Sequence, residues 1–370
     1  MLTTHTRMAG QGTTGERLSR RQTMGLVAGG LFAGLLGARP GAALAAATAP
    51  AIQKTAKVGA SLYEVVFSTT TGLVHVASAG QRGANDAAIL GLDPQTLELR
   101  ATLALPTEPA FGLAVNDRTG TLYTTNTPSG SVSAIDLKSG RVVATMVRGE
   151  RGHVRQVVVD EEGNRAFVSL PGMRGAASTI WVIDGARNEI VDVLEDGLVE
   201  GVSALTLDRA GNRLFAASLT TNEVVEVSLA TRAVVRRFAS GGEGSINIAF
   251  DAAGNRILVA NQKSGTLTVL DAASGTVTRS IATGEGALGV TLNPANGIIY
   301  VANRGAGTVS VIDGRSLEVL ASLPTGTHPN TVAIDRRSGL AYVTNKGRSG
   351  GRGAAPVEDP NGDTVSIIRV

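Results

Sequence analysis

The sequence predicts an all-β fold in which one unit of about 45 residues occurs seven times. The chain is 43% hydrophobic with 47 Gly and only 3% aromatic residues, a composition typical of many short strands joined by tight turns. One strand position recurs along the chain at steps of 42 to 48 residues. It is occupied by His75, Tyr123, Phe167, Phe215, Leu258, Tyr300 and Tyr342. Because this period matches a four-stranded blade, we expect a seven-bladed β-propeller.

Each unit begins with an inner strand, strand A, and a turn containing Asp or Asn and Gly connects it to strand B. Strand B ends in Tyr-Val-Thr-Asn, as in residues 342–345, or in a related run. The predicted A strands are Leu62–Ser68, Leu113–Val115, Val157–Val159, Leu205–Leu207, Ile248–Phe250, Val290–Leu292 and Val332–Ile334.

Strands C and D complete the unit. Strand C alternates apolar and polar residues, so one of its faces is expected to contact the next blade. Strand D carries more charge, as suits an outer edge. The predicted C strands are Ser131–Asp136, Thr179–Asp184, Glu223–Ser228, Thr266–Asp271 and Thr308–Asp313. The predicted D strands are Arg141–Val147, Glu189–Glu195, Ala233–Ala239, Thr276–Ala282 and Leu317–Leu323.

The last unit stops after a C strand at Thr364–Val370, whereas Ala51–Val58 is a D strand with no unit of its own. We therefore expect Ala51–Val58 to close the last blade, which would remove two open sheet edges. This assigns residues 46–370 to one propeller domain. A Gly-rich segment, Lys346–Asp363, separates strands B and C of the last blade; a loop of this kind is either a disordered spacer or functional.

Residues 1–45 have the parts of an export signal. Ser19-Arg20-Arg21 precedes an apolar run from Met24 to Leu36, and Ala43-Leu44-Ala45 provides a small-x-small cleavage site. The run is too short to span a bilayer as a helix, and the arginine pair is similar to a twin-arginine signal. The alternative is a disordered basic tail. The expectation is a periplasmic or secreted protein, monomeric and without a membrane span once the signal is removed.

Cysteine usage and charge exclude several function classes. The chain has no Cys, which excludes disulfides, thiolate metal sites, a cysteine nucleophile and a lipoprotein anchor. Residues 1–45 carry a formal charge of +4 within a total of +3. The remainder is therefore nearly neutral, and its overall charge does not indicate nucleic acid or an acidic membrane as a partner.

The repeated runs Tyr342–Asn345 and Tyr300–Asn303, each followed by a Thr-Val-Ser type strand, resemble those of YVTN-repeat propellers. Further stretches are similar to the periplasmic YncE-type proteins within that group. They are residues 57–64, 92–98, 180–185 and 327–330. The resemblance implies a seven-bladed, exported protein without known catalysis, and at least one member of the family binds single-stranded DNA without sequence preference.

Candidate ligand-binding residues lie where the D–A and B–C loops are expected to meet, at one end of the central channel, here called the channel mouth. The candidates are Tyr63, Glu64, Phe111, His153, Arg155, Asn247, His328 and Asn330. Four carboxylates, Glu108, Glu200, Glu243 and Glu285, occupy the repeat position of Thr327. Carboxylates with imidazoles could hold a cation. However, His153 and His328 belong to blades on opposite sides of the ring, so solvated turn residues are the favoured interpretation and no metal or cofactor is expected.

Basic residues of the B–C loops are candidates for an anion-binding rim. They are Arg82, Arg174, Lys263, Arg304 and Lys346. They are either ordinary solvated loop residues or a positive rim that attracts phosphates. Asn126, Asn261, Asn303 and Asn345 end the B strands and are interpreted as turn formers that bond to their own backbone.

The leading functional hypothesis is a non-catalytic binding or scaffold module for an unknown protein or a small anionic ligand. Weak, non-specific binding of single-stranded DNA is compatible with it, although only Tyr63 and Phe111 offer stacking surfaces at the mouth. One alternative is a lactonase-like hydrolase that uses His328, Glu64 and Arg155, although the spacing of these residues fits no firm motif. Another alternative is a redox-accessory protein.

Overall fold

Twenty-eight strands form seven antiparallel sheets of four strands each in the computed structural model, which describes residues 49–81, 83–149, 152–172, 174–349 and 357–370. The seven-bladed, all-β prediction is therefore confirmed. The predicted export signal, residues 1–45, lies outside the described residues. No described segment forms a helix with the length and apolar character needed to cross a bilayer.

Each of the first six blades uses four consecutive strands. Strand β1 (Ala51–Lys57) pairs into blade seven, so blade one contains β2 (Leu62–Ser68), β3 (Leu73–Ser78), β4 (Ala88–Leu92) and β5 (Leu99–Ala104). Blade two contains β6 (Gly112–Asn116), β7 (Thr121–Asn126), β8 (Ser131–Asp136) and β9 (Arg141–Met146). Blade three contains β10 (Val157–Asp160), β11 (Arg165–Leu170), β12 (Thr179–Asp184) and β13 (Glu189–Leu194). Blade four contains β14 (Val202–Asp208), β15 (Arg213–Ser218), β16 (Glu223–Ser228) and β17 (Ala233–Ala239).

The remaining blades follow the same order. Blade five contains β18 (Ser245–Asp251), β19 (Arg256–Asn261), β20 (Thr266–Asp271) and β21 (Val277–Ala282). Blade six contains β22 (Ala287–Leu292), β23 (Ile298–Asn303), β24 (Thr308–Asp313) and β25 (Val319–Pro324). Blade seven contains β26 (Pro329–Ile334), β27 (Ala341–Asn345), β28 (Thr364–Arg369) and β1. Strand β25 begins later than predicted, because Leu317 has a left-handed φ of 61° and belongs to the preceding turn.

The core lies between neighbouring blades. Strands B and C are buried almost throughout, whereas the outer D strands consist mainly of exposed and half-buried residues. All seven residues of the recurring strand position are buried, including Tyr123, Tyr300 and Tyr342 at 1% exposure or less. Six of them, all except His75, pack in apolar clusters that draw on the strands of adjacent blades. The recurring strand position is therefore a packing position.

Blade seven is closed by β1, as predicted. Strand β1 pairs antiparallel with β28 from Ala51 opposite Arg369 to Lys57 opposite Thr364. The Thr55 hydroxyl lies 2.8 Å from the Ser366 hydroxyl, and the Val58 N–H donates to the Asp363 carbonyl at 3.1 Å. The pairing joins two segments from opposite ends of the described chain and completes the ring.

Asparagines that end the B strands accept a turn N–H at the main-chain carbonyl, as Asn303 does from Gly307 at 3.0 Å, but their side chains bond elsewhere, which corrects the interpretation of these side chains as turn formers. Their side chains are buried, and their Nδ2 groups reach across to strand C. In blade six, Asn303 Nδ2 donates to Thr308 Oγ1 at 3.1 Å and to Ser310 Oγ at 2.9 Å. Asn126, Asn261 and Asn345 make equivalent bonds. The Asn therefore links strands B and C of its blade, which explains why it recurs.

Candidate ligand site at the channel mouth

Bulges at the start of the inner strands place side chains at the channel mouth. The pairing register shifts between Leu62 and Val65 in β2 and between Pro329 and Val332 in β26. Single-residue shifts occur in β14, β18 and β22. A bulge adds an unpaired residue and bends its strand, which turns that residue away from the sheet. The residues inside the shifts are Tyr63, Glu64, Ser203, Ile246, Leu288, Asn330 and Thr331.

These residues line a cavity of about 300 Å³ at the mouth. Of the eight predicted mouth residues, the cavity brings together seven, namely Tyr63, Glu64, Phe111, His153, Arg155, Asn247 and Asn330. The sequence analysis missed Thr127, Ser203, Ile246, Leu288 and Thr331 as wall residues. Four of them, Ser203, Ile246, Leu288 and Thr331, lie inside register shifts, which depend on pairing with the partner strand and have no direct signal in the sequence.

Glu64 and Arg155 are two neighbouring ionisable residues of the cavity wall. Burial raises the pKa of Glu64 to about 8, and the charge of Arg155 acts in the opposite direction. Burial also lowers the pKa of Arg155, which nevertheless stays protonated at neutral pH. Within the described part of the chain, no carboxylate lies within ion-pair distance of the Arg155 guanidinium. At neutral pH the cavity therefore contains a guanidinium cation beside a mainly neutral carboxyl group.

Two aromatic rings form one side of the mouth. The ring centroids of Tyr63 and Phe111 are 4.4 Å apart and the planes are tilted by 59°, an arrangement favoured by aromatic pairs. The Lys346 ammonium lies 3.7 Å from the centroid of the Tyr63 ring and donates to the Tyr63 hydroxyl. The Tyr63 carbonyl accepts a hydrogen bond from the Thr344 hydroxyl at 2.6 Å. Tyr63 is thus held in place from blade seven.

The polar groups on the facing wall are also held in place. Asn330 Oδ1 accepts a hydrogen bond from Arg304 Nη1 at 3.1 Å. Asn247 Oδ1 accepts one from the Ile248 N–H at 2.8 Å, which leaves its NH₂ group as the donor. His153 is exposed at the rim, and burial of its ring followed by the charge of Arg155 lowers its pKa. The imidazole is therefore mainly neutral at neutral pH.

The five basic rim candidates do not form one surface. Lys346 and Arg304 turn inward and contact the mouth residues Tyr63 and Asn330. Arg174 and Lys263 are exposed on separate loops of blades three and five. Arg82 lies outside the described residues. The structure therefore reduces the predicted positive rim to two inward-facing cations.

His328 does not line the mouth cavity. It lies beside Arg304 and Arg348 in a separate crevice between blades six and seven. The four repeated Glu residues are also absent from the lining of the mouth cavity. Glu108, for example, accepts hydrogen bonds from the hydroxyls of Ser129 and Ser131. Among the described residues, no three His, Asp or Glu side chains are grouped so that they could share a metal ion.

A wider cavity of about 890 Å³ continues from the mouth along the central channel. Glu64, Gln156, Asn247 and Thr331 line both cavities and so mark the boundary between them. Further along, the wall includes apolar strand A residues such as Leu205 and Ile248, and also charged residues such as Asp251 and Arg336. The mouth is therefore one end of a longer channel.

The fold and this cavity define a seven-bladed propeller with a polar, cationic pocket at the mouth of its central channel. The chain matches the family described as YNCE-like beta-propeller over residues 42–297, and it belongs to that family.

Sequence relatives agree with this assignment. Over 242 residues the chain is 31% identical to "Uncharacterized protein YncE" of Escherichia coli strain K12, and it is 29% identical to the protein of the same name from Salmonella typhi. Each match covers 61% of this chain and 66% of the relative, so the chain spans just under two thirds of the length of these relatives.

A solved structure shares the fold. The chain is similar to "Kuenenia stuttgartiensis Hydrazine Synthase" with a TM-score of 0.64, and the match covers 78% of this chain and 94% of that one. The sequence identity is 18%. At this level of identity the likeness establishes the propeller architecture alone.

Proposed function

We propose that this protein is an exported, non-catalytic binding module whose channel mouth takes a small organic anion, in the simplest case a carboxylate. The pocket of about 300 Å³ matches the lower end of the size range of small-molecule sites. It has the usual composition of such sites, with an apolar wall and a few convergent polar groups.

The observation that carries the proposal is the Arg155 guanidinium, which lies in the cavity wall without an ion-pair partner among the described residues. A partly desolvated cation without a counter-charge is costly. A ligand carboxylate would supply that counter-charge and would match the planar donor arrangement of the guanidinium in a bidentate pair.

The neighbouring groups suit the remainder of such a ligand. Asn247 and Asn330 offer amide groups, and Glu64, when protonated, offers an O–H donor rather than a repelling charge. The Tyr63–Phe111 pair provides an apolar surface beside them. Single-stranded DNA fits this arrangement less well, because Lys346 already covers one face of the Tyr63 ring on which a base would stack.

A panel of small carboxylates and phosphates, measured by thermal shift and then by titration calorimetry, tests the proposal. A ligand that binds only the folded state raises its melting temperature by mass action. Arg155→Gln should weaken carboxylate binding by about tenfold or more, because it removes a charge-assisted hydrogen bond. The matched control is Arg141→Gln, which alters an exposed arginine on the outer strand β9.

Two outcomes would contradict the proposal. One is the absence of any stabilising carboxylate at low salt, and the other is equal binding by both arginine variants. Oligonucleotide binding that Phe111→Ala weakens, without binding of small acids, would instead assign the mouth to single-stranded nucleic acid.

The export part of the proposal is supported by Ser19-Arg20-Arg21 and the apolar run that follows. Arg20→Lys combined with Arg21→Lys should retain the precursor in the cytoplasm, since the receptor reads the guanidinium pair. Cell fractionation checks this, and normal delivery of the double variant would rule out the twin-arginine route.

A further inference from the structure

We propose a second binding site, for a phosphate group, in the crevice between blades six and seven. The crevice has a volume of about 430 Å³ and lies beside the channel mouth rather than inside it. Described residues from three places form it: the β23–β24 loop, the β25–β26 loop, and Arg348 and Asn361 between β27 and β28. Its lining residues are Arg304, Gly305, Ala306, Gly307, Pro324, Thr325, Gly326, Thr327, His328, Arg348 and Asn361.

Two arginines from different blades line the crevice, and one of them, Arg304, also donates from Nη1 to Asn330 at the channel mouth. Arg304 comes from blade six and Arg348 from blade seven, and within the described residues neither has a carboxylate at ion-pair distance. The nearest acidic group, Asp359, is already occupied. Its carboxylate accepts hydrogen bonds from the Thr327 hydroxyl at 2.9 Å and from the Arg348 N–H at 3.0 Å. Neither arginine therefore forms an ion pair with Asp359, although the charge of Arg348 is one of the causes that lower the pKa of this carboxyl group.

A buried hydroxyl provides an independent observation. Thr325 is 4% exposed and lines the crevice, and its Oγ1 has no hydrogen-bond partner. The equivalent residue one blade earlier is Thr283, whose hydroxyl donates to the Gly265 carbonyl at 3.1 Å. Buried hydroxyls normally have a partner, because leaving one unpaired costs free energy. A ligand oxygen at this place would satisfy Thr325.

The distribution of these donors favours phosphate over carboxylate. Arg304, Arg348, Thr325 and His328 line the crevice from three separate loops. This arrangement suits the tetrahedral oxygens of a phosphate, whereas a planar carboxylate has only two oxygens to share among them. The floor is built from Gly305, Ala306 and Gly307, so few side-chain atoms occupy the space.

Titration calorimetry with inorganic phosphate at low salt tests the site. Arg348→Gln should weaken phosphate binding by about tenfold and reduce its salt dependence. Thr325→Val should weaken it by about threefold or more, since an apolar group then faces the anion. The matched controls are Thr283→Val, which removes the equivalent hydroxyl outside the crevice, and Arg155→Gln, which alters the mouth; both should leave phosphate affinity unchanged.

Glucose 6-phosphate as a second probe would distinguish a phosphomonoester site from one that admits only free phosphate.

Three results would overturn the second site. They are no phosphate binding by the unaltered protein, unchanged binding by Arg348→Gln and Thr325→Val, and loss of binding in Arg155→Gln. The last result would place the phosphate in the mouth. Arg348 is exposed in a loop, so this variant remains informative if Thr325→Val proves unstable. The two proposals can fail independently. The mouth proposal is tested by carboxylate binding and Arg155, whereas the crevice is tested by phosphate binding, Arg348 and Thr325.

Discussion

The pKa of the Glu64 carboxyl group is strongly changed by the position of this residue in the ring. Its backbone N–H donates to the Phe111 carbonyl of the next blade, and a bulge turns its side chain into the channel. Burial there raises the pKa of the carboxyl group from 4.5 to about 8. His75 shows the opposite shift, because burial lowers its pKa to about 4. Both groups are thus mainly neutral in the folded protein near pH 7.

The raised pKa of Glu64 predicts that stability falls as pH rises. Between pH 4.5 and about 8 the unfolded chain has lost the Glu64 proton, whereas the folded protein keeps it. The free energy of unfolding therefore decreases with pH across this window. Glu64→Gln removes the ionisable carboxyl group and with it this pH dependence. The variant should therefore gain stability relative to the unaltered protein as pH rises from 4.5 to 8.5. Chemical denaturation at several pH values measures the effect. A stability difference that is constant with pH would contradict the assignment.

The site residues show how far sequence reasoning reached. Arg155 and Asn330 were found because aligning the repeats on strand A places their positions at one end of the ring. Ser203, Ile246 and Leu288 were missed, because alternation along a regular strand assigns them to a sheet face. Only the register shift turns them into the channel, and a shift depends on pairing with a partner strand. His328 was misplaced because neighbouring loop positions can enter different cavities.

At the scale of the element, the linking Asn of strand B defines the blade. In blade six, Asn303 is fully buried and its amide donates to Thr308 and Ser310 on strand C. The Ser310 hydroxyl continues the chain of bonds to the Thr283 carbonyl at 3.0 Å. One side chain thus connects strands B and C to the loop entering the blade. The sequence did not predict that Asn links strands B and C. Asn is also common in turns, so its recurrence at the end of strand B is explained equally well by turn formation.

Removing one such link should destabilise the protein measurably. Asn303→Ala removes two donated hydrogen bonds and leaves buried hydroxyl groups with fewer partners, at an expected cost of about 2 kcal/mol in the free energy of unfolding. Urea denaturation measures this cost. The control is Gln95→Ala at an exposed turn position of blade one, which should stay within about 0.5 kcal/mol of the unaltered protein. Equal effects of the two substitutions would contradict the linking role.

At the scale of the whole molecule, stability depends on the closed ring. Each blade packs its apolar face against its neighbours, so blade seven lies between blade six and blade one. Strand β1 contributes the outer strand of that blade, and Ile52 and Ala56 are among its apolar contacts with the clusters on either side. An incomplete blade seven would expose the edge of β28.

Deleting residues 46–58 should therefore lower the melting temperature by more than about 5 °C and promote aggregation through the exposed β28 edge. Thermal unfolding and light scattering measure the two effects. Deleting only residues 46–50, which precede β1, is the control and should have little effect. A protein without β1 that is as stable as the control would show that the ring closes by another route.

The pairing of β1 with β28 also has a consequence for the order of events during folding. Thr55 and Ser366, which meet in this pairing, are separated by 311 positions in the chain. During synthesis β1 emerges early, but its partner strand does not exist until nearly all of the chain has been made. Contacts this distant in sequence form late and slowly. We therefore expect blade seven to be the last blade to assemble, and until then β1 remains an unpaired strand that a chaperone can bind.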